Sequence, residues 1–172
     1  LELSETGFAQ NEALIIEATF RFRIKQTYAT RPDRKFIYSS KYPEFYLTYR
    51  KGIKTLGSDV DFDFLQLRVE DEIGFGLVGR STYALGAGAF LNDNALTFVD
   101  YKHFSGNETS FSQVGKNMKF ELLPFYVFST TEPYFEAHYE HHFNEFIFNK
   151  IPYIKKLNLQ AVASANYLTN DT

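Results

Sequence analysis

The sequence predicts an all-β chain of antiparallel strands, on two observations. Stretch after stretch alternates apolar and polar residues, the two-residue period of a strand whose successive side chains point to opposite sides. The composition agrees: 18% of the residues are aromatic, as 19 Phe and 12 Tyr without Trp, beside a single Met and only 5 Pro. Aromatic and β-branched residues favour strands. The 172 residues are enough for one domain with a sizeable core, and no fixed repeat or low-complexity linker divides them.

Along the chain, Ile16–Lys25 is the clearest strand. Ile16, Ala18, Phe20, Phe22 and Ile24 oppose Glu17, Thr19, Arg21, Arg23 and Lys25. In Glu44–Lys51, Phe45, Leu47 and Tyr49 oppose Tyr46, Thr48 and Arg50. In Phe64–Glu70, Leu65, Leu67 and Val69 oppose Gln66, Arg68 and Glu70. "GFGLVG" at Gly74–Gly79 lacks the Lys and following helix of a phosphate loop, and predicts a turn whose glycines take positive φ. Ser81–Leu91 sets Tyr83, Leu85, Ala87, Ala89 and Leu91 against Thr82, Ala84, Gly86 and Gly88.

Leu96–Tyr101 and Phe120–Phe128 read as weaker strands. The second is apolar on both faces and holds Pro124, which lacks the donor a ladder needs. Tyr134–Asn144 places Phe135, Ala137, Tyr139 and Phe143 on one face, with His141 the one polar member. Tyr134, Glu136, His138, Glu140, His142 and Asn144 take the other. Leu157–Tyr167 opposes Leu159, Ala161, Ala163, Ala165 and Tyr167 to Asn158, Gln160, Ser164 and Asn166. The connections "TYATRPDRKFIYSSKYP" and "KHFSGNETSFSQVGKN" are long and polar, whereas "TTEP" and "NKIPYIKK" are short. They predict one long-looped and one short-turned end, as in outer-membrane barrels.

Charge and composition exclude several functions. A net charge of −3 with 18 scattered basic residues argues against a nucleic-acid partner. The absence of Cys removes disulfides, thiolate metal sites and a cysteine nucleophile. No run approaches the ~18 apolar residues of a membrane helix, which leaves barrels untouched because they cross with short alternating strands. His138, Glu140 and His142 fall on one strand face as metal-ligand types. Alternate residues there stand ~6.6–6.8 Å apart, long for one ion, and a polar interior row explains them as well. Glu136 and Glu140 are carboxylates of the kind that serve as acid and base, yet such pairs are ordinary in a hydrated interior. "SGNETS" at Asn107 reads as an exposed loop tip. No catalytic, cofactor-binding or metal residue is expected.

Alternation alone does not say which face is inside. A soluble barrel buries the apolar face, and an eight-stranded soluble barrel holding an apolar small molecule is the alternative. A membrane barrel turns the apolar face to lipid. Mixed charges on the polar faces, Tyr and Phe near strand ends, and Ala-rich apolar faces suit the inverted case.

Three separated motifs, "GSDVDFDFLQL", "DYKHFSGNETSF" and "YFEAHYEHHFNEFIFNKIPYIKKLNL", resemble those of a Bacteroidota outer-membrane barrel family of unassigned function. Its members often carry an N-terminal carboxypeptidase-regulatory-like sandwich. More distantly, the family is similar to surface-antigen barrels that insert or export outer-membrane proteins. The resemblance runs from about Glu44 to Tyr167 and implies an antiparallel transmembrane β-barrel in the outer membrane. It further implies a non-catalytic scaffold, assembly partner or export and biogenesis component, without cofactor. Its partners would be outer-membrane lipid or lipopolysaccharide and other outer-membrane proteins. Family barrels are longer, so residues 1–172 are expected to be part of one barrel domain, cut at both ends, with about 7–9 strands. The lumen-facing row is expected to be Arg21, Arg23, Arg68, Glu136, His138, Glu140 and His142. Phe20, Phe22, Ile24, Leu65, Leu67, Tyr139 and Phe143 are expected to face lipid.

Overall fold

A computed structural model describes residues 11–30, 33–40, 42–106, 119–124, 126–143 and 160–170. It is all-β, with no α-helix among these residues. Strands β1 (Ile15–Arg23), β4 (Glu44–Gly52), β5 (Asp61–Gly74), β6 (Arg80–Ala95), β7 (Tyr134–Phe143) and β8 (Ala161–Asn170) form one antiparallel sheet in that order. A separate ribbon of β2 (Gln26–Thr30) and β3 (Lys35–Ser40) lies within the β1–β4 connection. Strands β1 and β8 are the two edges and do not pair with each other, so the described sheet is open.

The register sorts the side chains into rows. One row of one face runs Phe20, Leu47, Leu67, Ala87, Phe135, Thr169, and the next runs Phe22, Phe45, Val69, Leu85, Ala137, Tyr167. On the opposite face Arg21, Tyr46, Arg68, Gly86, Glu136 and Leu168 share a row, followed by Arg23, Glu44, Glu70, Ala84, His138 and Asn166. In-register antiparallel pairing keeps partners on the same side, so alternation in each strand becomes a sheet with one apolar and one polar face.

The core lies on the polar side, at the end of the sheet where β4 turns into β5. Val60, Phe62, Phe64, Phe104, Phe120 and Tyr134 form it, with Ile15, Phe90, Leu96, Leu123 and Leu168 packed around them. Phe104 and Phe120 come from the connection between β6 and β7, which folds back over the polar face. Phe62 and Val60 are fully enclosed.

Several sequence expectations need correction. Leu96–Tyr101 is not a strand: Phe98–Asp100 form a 3₁₀ turn, because the Asp100 carboxylate accepts from the Thr97 N–H at 3.3 Å and from the Thr97 hydroxyl. Described residues of Phe120–Phe128 are turns, with Tyr126 at φ +62°, and a single bridge, Lys102 to Thr130, links this region to its other arm. Pro124 and the lack of a pairing partner account for that. The long connection after Ile16–Lys25 holds the β2–β3 ribbon, entered through Lys25 at φ +52°. The two long connections, β1–β4 and β6–β7, emerge at opposite ends of the antiparallel sheet, so there is no long-looped and short-turned end. "NKIPYIKK", Asn107 and Asn144 lie outside the described residues.

"GFGLVG" is a turn as expected. Gly76 has φ +59° and Gly79 φ +135°, and the Phe75 N–H donates to the Gly79 carbonyl at 2.7 Å. A Cβ on Gly79 would stand 2.0 Å from the His142 carbonyl oxygen, so the turn fits against β7 only with glycine there.

Phe62→Ala is expected to cost about 3–5 kcal/mol in a denaturant titration. Leu122→Ala, at a site 92% exposed, is expected to change stability by no more than ~0.5 kcal/mol.

Candidate functional site

The site the fold builds is the polar face and the β6–β7 connection lying on it. Its charges are paired across strands. Glu44, at the start of β4, accepts from Arg21 Nε at 3.0 Å and from the Tyr46 hydroxyl at 2.8 Å, and pairs with Arg23 Nε at 2.9 Å. Arg21 and Arg68 lie over opposite sides of the β4 row position held by Tyr46, with guanidinium carbons 5.3 and 5.0 Å from its ring centre. Arg68 Nε is 2.9 Å from Glu70 Oε1, and Arg50 pairs with Glu17. Nearer the other end, Glu140 and His142 bond to each other.

Between Arg68 and Glu136 the row passes through Gly86, and one row on, through Gly88. The missing side chains make room for β7. A Cβ on Gly86 would stand 2.7 Å from Glu136 Oε1, and one on Gly88 2.7 Å from the Tyr134 ring. Glu136 and Tyr134 therefore lie back across β6, toward the middle of the face.

Lys102 meets them from the connection. Its Nζ is 3.9 Å from Glu136 Oε1 and 5.2 and 5.4 Å from the ring centres of Tyr134 and Phe104. Burial pushes the Lys102 ammonium below its ordinary pKa, against the opposing pull of Glu136. Phe120 packs 4.5 Å from the His138 ring, whose Nδ1 bonds Asn166 Oδ1 at 2.8 Å. Removing one partner from a buried pair such as Lys102–Glu136 leaves an uncompensated charge, typically a loss of about 3–5 kcal/mol. Beneath the connection, Tyr134 Oη has no hydrogen-bond partner among the described residues, whereas His138 Nε2 faces Glu136 Oε2 at 3.7 Å. An unpartnered group of this kind costs about 1–3 kcal/mol when kept from water.

A match along the whole chain decides its family. Residues 1–172 match the family of unknown function DUF5686, C-terminal domain. The chain belongs to that family. No curated protein and no solved structure matches it. The family carries no assigned activity, so the chemistry has to be read from the residues.

The structure brings Arg21, Arg23 and Arg68 onto one face with Glu136, His138, Glu140 and His142. It splits them into a Glu44 hub with Arg21 and Arg23, an Arg68–Glu70 pair, a Lys102–Glu136–His138 group and a Glu140–His142 pair. No three His, Asp or Glu side chains converge on a metal-sized space among the described residues. On the opposite face, Phe20, Phe22, Leu67 and Tyr139 are exposed, Leu65 and Phe143 are half-buried, and Ile24 is exposed just beyond β1. His141 lies on this apolar side, enclosed between Phe75 and Phe143, with its Nδ1 2.7 Å from Ser81 Oγ. Sequence reasoning missed Lys102, Glu44, Tyr46, Phe104 and Phe120 as parts of the site. Phe104 carried a usable signal, being an aromatic residue inside the polar stretch "KHFSGNETSFSQVGKN", whereas Phe120 opens a stretch that is apolar on both faces.

Gly86→Val is expected to cost about 1–3 kcal/mol by forcing Glu136 off β6. Combining it with Glu136→Ala should be less destabilising than the sum of the two single changes, measured by a double-mutant cycle.

Proposed function

We propose that the chain forms part of the wall of an outer-membrane β-barrel. Phe20, Phe22, Leu67 and their row neighbours would meet lipid or lipopolysaccharide, and the charged rows would line the interior. The observation carrying this reading is the inversion of the sheet. Phe20, Phe22 and Leu67 are 57%, 52% and 47% exposed, whereas Glu70, Glu136 and His138 are 5%, 6% and 4% exposed. Burying one large apolar side chain is worth about 1.5–3 kcal/mol. Leaving Phe20, Phe22, Leu67, Leu85, Phe135 and Tyr167 in water would forgo on the order of 10 kcal/mol, comparable to a domain's whole stability. In hydrocarbon that loss disappears.

The dimensions support the same reading. From Tyr83 to Leu91, between its two rims, the apolar face of β6 covers about 27 Å of strand, which at a tilt of about 40–45° spans roughly 19–21 Å of bilayer, somewhat short of the ~25 Å band of such barrels. At one rim Lys51 Nζ pairs with Asp63 at 2.8 Å, and Tyr49 bonds the same carboxylate. At the other rim the Tyr83 hydroxyl reaches Asp71 at 3.5 Å. Charges placed there end the apolar band, and tyrosines stand beside them as interfacial residues do. Strands β1 and β8 each present an open edge, which in a bilayer must pair with further strands.

The role that fits is a non-catalytic barrel acting as scaffold, assembly partner or export and biogenesis component, in contact with other outer-membrane proteins. A soluble eight-stranded barrel around an apolar ligand is the second reading and would enclose the apolar face; the exposure of Phe20, Phe22 and Leu67 favours the lipid-facing one.

In fractionated cells the full-length protein is expected to sediment with the outer membrane and to leave it only in detergent. Leu67→Arg should lower stability in lipid by about 2–4 kcal/mol, with little effect from Leu122→Arg. Recovery of the parent protein in the soluble fraction would contradict the proposal.

A further inference from the structure

Two rows of the apolar face break its pattern beside the β5–β6 turn. Asp71, Tyr83 and Tyr139 are cross-strand neighbours in one, and Ser81 and His141 in the next. The Tyr83 hydroxyl donates to Asp71 Oδ2 at 3.5 Å. Ser81 Oγ lies 2.9 Å from the Tyr139 hydroxyl and 2.7 Å from His141 Nδ1. Ser81 and His141 are buried, and they fix the Tyr139 hydroxyl while its ring stays 46% exposed beside Tyr83.

Asp71 differs from the other carboxylates of the sheet. Glu17, Glu44, Asp63, Glu70 and Glu136 each pair with an arginine or a lysine. Among the described residues no cation pairs with half-buried Asp71, whose Oδ1 accepts from the Glu72 N–H at 2.8 Å. The far rim supplies the comparison. There Asp63, on the same strand and face, bonds Tyr49 and receives the Lys51 ammonium at 2.8 and 3.0 Å. Asp71 has a tyrosine of the same kind and no lysine beside it. Ile73 and Phe75 follow it along the chain, 42% and 51% exposed, so the carboxylate is set among apolar side chains. A charge in such surroundings calls for a counter-ion.

We propose that Asp71, with the rings of Tyr83 and Tyr139 beside it, binds the primary ammonium of a phosphatidylethanolamine headgroup. The site rests on the barrel reading above, which brings this rim to the level of the headgroups. The ammonium donates N–H bonds to the Asp71 carboxylate, as Lys51 does to Asp63, and the tyrosine rings attract its charge. A choline headgroup, whose methyl groups cover the nitrogen, has no N–H to donate and binds less well.

Native mass spectrometry of the full-length protein tests this. The protein is released by detergent from bilayers holding equal amounts of phosphatidylethanolamine and phosphatidylcholine with the same acyl chains, and the retained lipids are counted. The unsubstituted protein should keep the ethanolamine lipid about fivefold over the choline lipid. Asp71→Asn should bring that ratio close to one, and Tyr139→Leu should lower it. Glu132→Gln, which removes a carboxylate from an exposed bend before β7, should leave it unchanged. A ratio near one in the unsubstituted protein, or one that Asp71→Asn does not alter, overturns the site. If the same protein still leaves the membrane only in detergent, the barrel reading survives that result. Recovery in the soluble fraction overturns both.

Discussion

An in-register antiparallel ladder gives each side chain one of two sides, and that constraint governs the rest of this structure. Once Arg21 is paired with Tyr46, and Tyr46 with Arg68, every second residue of β1, β4 and β5 is committed to the same face. A shift of one residue would carry Phe20 and Leu67 onto the charged side and Arg21 and Arg68 onto the apolar one. The charges therefore cannot spread over the sheet and must be neutralised against one another. Glu44 gathers two arginines and a tyrosine, Glu70 meets Arg68, and Glu136 meets Lys102 from the connection. The glycines of β6 belong to the same arrangement, since only at Gly86 and Gly88 does β7 find room to lay Glu136 and Tyr134 over its neighbour.

The apolar face has no corresponding partner within the described chain. Its neighbours across the strands are each other, Phe22 with Phe45 and Val69 with Leu85, and none of the described connections folds over them. The two sides thus have opposite needs. The polar side obtains cover and a small aromatic core at one end, and the apolar side is left to whatever medium surrounds it. Hydrocarbon satisfies that demand without any further residue.

Much of this pattern was legible in the sequence, because alternation is a local property. Ile16–Lys25 and Tyr134–Asn144 showed their faces plainly, and Ser81–Leu91 lies wholly within β6. The alternation read over Phe64–Glu70 is only the middle of β5, which runs Asp61–Gly74. The charged Asp61, Asp63, Asp71 and Glu72 interrupt the apolar pattern at its ends, although Asp63 is tied to Lys51 and Tyr49 and remains in the strand. Leu96–Tyr101 failed for the converse reason, since an apolar run was bent by the Thr97–Asp100 contact that spacing alone does not reveal. Lys102 was invisible as a site residue. Its significance lies in meeting Glu136, 34 positions away in the chain, and no periodicity records a long-range contact between a connection and a strand. The family match covers the whole chain yet assigns no role, so the account rests on the physics of the sheet.

The central claim is that the sheet is inverted, with its apolar face in lipid. The most direct test is a nitroxide scan of β5 in the full-length, reconstituted protein, using single cysteines placed in turn at Leu65, Gln66, Leu67, Arg68 and Val69. Collisions with oxygen, which concentrates in hydrocarbon, should be highest at Leu65, Leu67 and Val69. Collisions with a water-soluble nickel chelate should be highest at Gln66 and Arg68. Loss of that alternation, or its reversal, would contradict the account.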